Sequence, residues 1–295
     1  MNGDVVVVGG GAVGACCALE LARRGARVTL LERGADLAWG CSAGNAGLIC
    51  PSHYIPLANP AALRDGFRWM LKPDSPFYLR PRPGVLPWIA RFALAARPVR
   101  SQAAGRVVQE LARASLELHA ALADEGLDTG LRRDGVLNVY FARASFEHAQ
   151  REAEHNRRAG LESRILAADE TYELEPSLGP GAVGAVLYPG DAHCDPLRFV
   201  KAVGRAAERG LPSLRGRRVL EVWRGLRPCT PDGLPIVGRP AGLANVTLAT
   251  GHAMMGLTLA PITGRLVAEL LAGERPSLDL RPLSPNRFRP LLGRL

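Results

Sequence analysis

The run Val5-Val6-Val7-Val8-Gly9-Gly10-Gly11-Ala12-Val13-Gly14 narrows the folds open to this chain more than any other stretch. Four β-branched residues in succession favour an extended strand, and the glycines that follow point to a tight turn. A helical pattern from Ala15 to Gly25 comes next, then a second apolar run, Val28 to Leu31, ending on Glu32. The order predicts a buried parallel strand, a glycine turn, a helix and a second strand. Gly9, Gly11 and Gly14 fit the dinucleotide fingerprint: one for the turn, one for close backbone approach to a pyrophosphate, one for helix–strand contact. The helix start offers free N–H groups and the positive end of a dipole to a diphosphate. Glu32 stands where an acid accepts ribose hydroxyls. A nicotinamide dinucleotide also fits these residues, but only these.

Composition excludes other classes. At 295 residues the chain can bury a substantial core, read here as two interleaved domains. With 47% apolar and 22% charged residues it reads as an ordinary globular protein. No apolar run approaches the ~18 residues of a membrane helix. The first strand starts almost at the N-terminus, which predicts no signal peptide and a cytoplasmic protein. The six cysteines, Cys16, Cys17, Cys41, Cys50, Cys194 and Cys229, show no Cys-x-x-Cys pair. They read as reduced and structural, with no metal site expected. The formal charge of +9 is almost all arginine, scattered, with aromatics at only 5%. That pattern suits an anionic cofactor, a carboxylate substrate or peripheral contact with an acidic membrane face, and no nucleic-acid partner is expected.

Beyond Leu48 the texture changes. Residues 51–87 carry eight prolines, which predicts short helices and loops. Residues 102–125 have a long helical pattern, 135–140 alternate like a strand, and 144–160 read as a charged helix whose His148 and His155 are solvated. Asp195-Pro196 opens a helix running to Gly210, and Leu211 to Val222 reads as one or two strands.

Two later segments complete the pattern: Trp223-Arg224-Gly225-Leu226-Arg227-Pro228 through Gly238, and Val246 to Thr258 followed by an amphipathic helix. With the glycine turn and Ser42-Ala43-Gly44-Asn45-Ala46-Gly47-Leu48, the chain resembles the FAD-dependent D-amino acid dehydrogenase, D-amino acid oxidase and glycine oxidase superfamily. The Gly-Asn-Ala-Gly loop is most similar to the bacterial D-amino acid dehydrogenases. The resemblance implies an α/β fold: a Rossmann-like FAD-binding domain with a parallel sheet (1–50 plus 190–278), a truncated α+β cap domain (51–189) and a tail (279–295). It implies that Gly9, Gly11, Ala12, Val13 and Gly14 surround the FAD diphosphate, and that Glu32, followed by Arg33, holds the adenosine ribose. Ser42 would reach the diphosphate again, with Asn45, Ala46, Gly47 and Leu48 along the flavin ring and Gly44 between them also binding the cofactor. Val219 would contact the adenine. Gly251, His252, Met255, Gly256, Leu257 and Thr258 would form the turn at the pyrimidine end. Arg227 matches the position that pairs with a substrate carboxylate, and His53 and His252 are candidates for positioning the substrate or tuning its amine. The implied chemistry is oxidation of a D-amino acid or small amine, with electrons passed to a quinone or similar acceptor.

One departure stands out. Trp223 follows Val222 directly, where the family carries a further sheet strand and several strands that roof the substrate cavity. An internal deletion is therefore expected, with weak or absent turnover, and with self-association or a partner subunit covering the exposed sheet. A non-catalytic flavin-binding or interaction protein is the competing expectation.

Overall fold

A computed structural model describes residues 3–34, 36–38, 40–70, 85–158, 160–208 and 228–288. Strand β1 (Asp4–Val8) leads through the glycine turn into α1 (Ala12–Arg23), and β2 (Arg27–Leu31) returns parallel to β1, in register from Asp4↔Arg27 to Val8↔Leu31. Strand β3 (Leu48–Ile49) closes this first unit. Helices α2 (Pro60–Met70), α3 (Leu86–Ala95) and α4 (Pro98–Asp124) follow. The long helix begins ahead of residue 102, because Pro98 supplies a favourable first-turn residue.

The middle of the chain forms a second sheet. Strand β4 (Val136–Tyr140) leads into α5 (Arg143–Arg158), then β5 (Arg164–Ala167), α6 (Ala168–Leu174) and β6 (Gly184–Tyr188). Its order is β4-β6-β5, antiparallel throughout. Strand β7 (Ala192–His193) then pairs back with β3, tying the two regions together. Helix α7 (Pro196–Glu208) is capped by Asp195, whose Oδ1 accepts from the Leu197 and Arg198 amides, both at 2.9 Å. Strands β8 (Ile236–Gly238) and β9 (Leu248–Thr250) pair antiparallel, and α8 (Gly256–Ala272) follows.

The main core lies between α1, α7 and α8, with Leu21, Phe199, Val200, Val203 and Ala260 buried together. A second cluster joins α4 to α8 through Val108, Leu111, Leu259 and Leu266. The crossing of α1 and α8 needs a glycine: a Cβ on Gly264 would lie 2.6 Å from the Cys16 carbonyl oxygen. Cys16 and Cys17 are buried free thiols in this contact, and burial raises both, Cys17 to about 12. The start of the predicted tail is anchored: Leu283 is fully buried and Arg287 pairs with Asp232 (2.7 and 3.0 Å).

One expectation needs correction. The first strand is not buried: Val6 is 59% and Val8 82% exposed. Among the described residues β1 and β2 form a two-stranded sheet with helices on one face only, so every second side chain faces outward. Among the described residues, no helix is long and apolar enough to cross a membrane.

Candidate cofactor groove

The glycine turn is built as its sequence demands. Gly9 has φ of +109°, and a Cβ on Gly14 would clash with the Gly9 carbonyl oxygen. Helix α1 starts at Gly11 with no side-chain cap and no acid in its first turn, which leaves its positive end available to an anion. Ser42 reaches this point, its Oγ accepting from the Ala12 amide at 3.0 Å. Glu32 stands beside the turn and uses both oxygens on backbone, accepting from the Gly10 amide at 2.6 Å and the Gly34 amide at 2.8 Å. Arg33 next to it is exposed.

The Gly44–Leu48 loop is tied at both sides. Asn45 Oδ1 accepts from the Gly47 amide at 2.8 Å, and the Cys194 amide donates to the Gly47 carbonyl at 2.8 Å. Gly44 and Ala46 are exposed. The Thr258 hydroxyl donates to the Leu48 carbonyl at 3.1 Å, which brings the loop to the start of α8. That start has no side-chain cap at Met255 and no acid in its first turn. Gly251 turns the chain out of β9 at φ of +78°.

A continuous cavity of about 1220 Å³ joins these pieces. Its lining includes Gly9, Gly11, Ala12, Val13 and Gly14 from the turn, Ser42 and Asn45 from the loop that follows, and Met254, Gly256 and Leu257 around the start of α8. The cavity is also lined by β1 and by residues 244–250, where among the described residues Thr247 Oγ1 is buried without a partner. A glycine turn in which Gly14 has no room for a Cβ, and two helix starts without a side-chain cap of their own beside one cavity, fit a dinucleotide diphosphate and a negative ring edge.

The histidines divide. His252 is buried, with Nε2 2.9 Å from Thr263 Oγ1, and burial pushes it down to about 4. It does not line the cavity; it braces the turn behind α8. His53 is exposed, its Nδ1 3.1 Å from Ser52 Oγ, and Ser52 in turn donates to buried Asp191 (2.5 Å). Burial raises the Asp191 carboxyl, with the Ser52 bonds opposing. Arg227 and Val219 lie outside the described residues, as does the Val222–Trp223 junction.

The sequence reading missed His119. On α4 it is buried, 4.6 Å from Phe199 between ring centres, and its Nε2–H donates to the Leu257 carbonyl at 3.2 Å, at the first turn of α8. Burial lowers it to about 4, with the backbone bonds opposing. Its place on the apolar stripe of α4, three residues before Leu122, was the available signal.

A glycine turn into an uncapped helix, joined by one groove to a second helix start, defines a dinucleotide-binding α/β protein. The family model described as FAD dependent oxidoreductase (DAO) matches residues 4–211 and 205–270, and the chain belongs to that family. D-amino acid dehydrogenase 2 of Ralstonia nicotianae is 35% identical over 266 residues, covering 83% of this chain and 61% of that protein. This chain therefore spans about three fifths of that relative. A D-amino acid dehydrogenase of Paramagnetospirillum magneticum is 26% identical over 423 aligned residues, 98% of this chain and 99% of its own length. With 295 residues here, many of those positions have no counterpart in this chain. The two family matches meet at 205–211, upstream of the Val222–Trp223 junction. Glycine oxidase from Geobacillus kaustophilus shares the fold, with a TM-score of 0.68, 19% identity, and coverage of 98% and 99%. The cofactor of the family is FAD, and membership of this FAD dependent oxidoreductase family is what the chain shares with these amino acid dehydrogenases and oxidases.

Proposed function

We propose that this chain oxidises a D-amino acid or a related small amine to the imino acid, with the two electrons passing on to a non-oxygen acceptor such as a quinone. The observation that carries the reading is one cavity lined both by the glycine turn and by the start of α8. FAD, when bound, supplies the acceptor for the hydride that leaves the substrate's α-carbon. The protein's part is holding and charge. Gly9 to Gly14 and the N-terminus of α1 receive the diphosphate. The N-terminus of α8, at Gly256 and Leu257, offers its positive dipole end to negative charge developing at the far end of the groove. His252, neutral at physiological pH, holds the turn before α8, and His119 holds its first carbonyl. Arg227 takes the substrate carboxylate in this reading, as a two-pronged guanidinium partner.

A second reading, a flavin-binding chain with little or no turnover, is favoured by one observation. Among the described residues the cavity runs on along an unpaired edge of β1, past exposed Val6 and Val8, where an oxidase would enclose its substrate. In either reading a second subunit covers that face, and the basic surface makes peripheral contact with an acidic membrane. Anaerobic visible spectra of the flavin-loaded protein, with and without a panel of D-amino acids, proline analogues and glycine, separate the readings. Bleaching of the flavin band supports the enzyme. A colour that stays yellow across the panel supports the binder, and a chain that takes up no flavin overturns both.

A further inference from the structure

Outside the groove, three metal-ligating side chains converge where β3 ends. Cys50, Pro51, Ser52 and His53 form a closed turn, in which the His53 amide donates to the Cys50 carbonyl at 3.1 Å. Pairing of Ile49 with Ala192 brings the preceding residue, Asp191, alongside that turn. The Cys50 sulfur, a His53 ring nitrogen and an Asp191 carboxylate oxygen all lie within 4.8 Å of one another. Cys50 and Asp191 are buried, and His53 opens the cluster to solvent.

Asp191 is the feature that asks for an ion. Its exposure is 2%, and among the described residues no lysine or arginine forms an ion pair with it. The Ser52 amide (3.1 Å) and hydroxyl (2.5 Å) and the Cys50 thiol donate to its oxygens without supplying a full positive charge, and the cationic form of His53 is the group beside it that could. Buried carboxylates are ordinarily paired with a cation or a metal, because isolated burial of the charge is costly.

We propose that Cys50, His53 and Asp191 form a binding site for a zinc-class divalent ion, with solvent in the fourth position. Thiolate, imidazole and carboxylate together are a borderline-soft donor set, suited to Zn²⁺ and poorly suited to Mg²⁺ or Ca²⁺. Tetrahedral zinc holds such donor atoms roughly 3.3–3.8 Å apart, so the cluster closes by about 1 Å, within the reach of side-chain rotation. On binding, the Cys50 thiol gives its proton to solvent. Ser52 keeps its bonds to Asp191 and orients that ligand from behind. The inference is independent of the flavin reading, since none of the three residues lines the groove.

The test uses the full chain after chelator treatment, titrated with Co²⁺ and then Zn²⁺. The d–d bands of tetrahedral cobalt are followed at wavelengths beyond flavin absorption. The expected result is one ion per chain, displaced by Zn²⁺, with affinity falling at least tenfold in Cys50→Ser, Asp191→Asn and His53→Ala. Cys41→Ser, at the exposed cysteine, leaves binding unchanged. Because His53 is exposed, His53→Ala keeps the fold even if a buried variant does not. Undiminished cobalt affinity in His53→Ala, or no tetrahedral spectrum in the parent chain, overturns the proposal.

Discussion

The two sheets of this molecule follow opposite rules of closure. In the β4-β6-β5 sheet the central strand is covered, with Ala185 and Val186 at 0% exposure and α5 and α6 packed against it. In the β1–β2 sheet Val6, Val8 and Leu31 are all more than half exposed, and among the described residues helices pack on one face only. The antiparallel sheet is assembled from neighbouring segments between residues 136 and 188, so everything it needs is close in sequence. A parallel sheet draws its strands from distant parts of the chain through crossovers, so its closure depends on segments far apart in sequence.

The largest expected effect separates the halves by pH. His119 and His252 brace α8 in the open-sheet half, both held near 4 against an ordinary value of 6.5. Both are neutral in the fold, while the unfolded chain protonates them below about 6.5. Stability is therefore full above pH 6.5 and falls as pH drops toward 4, by roughly 3 kcal/mol for each group. Hydrogen exchange across that window should show α8 and the end of α4 opening before β6. Equal opening of both sheets would erase the distinction.

Core truncation comes next. Val186→Ala, in the covered sheet, should cost about 2–3 kcal/mol in urea unfolding. Val6→Thr, in the open sheet, should shift stability by no more than about 0.5 kcal/mol. A large loss in Val6→Thr, dependent on protein concentration, would mean that a second subunit covers β1. The smallest effect belongs to Arg27→Gln. The Arg27–Asp4 pair joins the ends of β2 and β1 at 2.6 Å, but its side chains are 81% and 70% exposed. The change should cost no more than about 0.5 kcal/mol, and the remainder should vanish in salt.

Much of this was legible from residues alone. The glycine turn, α1, β2, β4, α5 and α7 each announce themselves by periodicity or by a cap, because the forces that form them are local. The groove between the turn and α8 was legible because both of its ends are glycine-marked. Exposure of β1 was not, since four valines look the same whether or not a neighbouring strand exists. His119 was hidden by its helix, where one polar residue on an apolar stripe reads as noise. Asp191 was hidden by distance, since its partners lie 139 positions away. Comparing cysteines only with one another also concealed the Cys-x-x-His spacing of Cys50 and His53.

The absence of a Cβ at Gly264 has a further result. It lets the backbones of α1 and α8 lie almost in contact at Cys16, fusing the two helices into one stiff strut. Both helices begin against the same cavity, one at the glycine turn and the other at Gly256, so the span between the two starts is fixed like the gap of a caliper. Enlarging residue 264 would spread that gap and alter which ligand length it accepts, without touching a single residue that lines the groove.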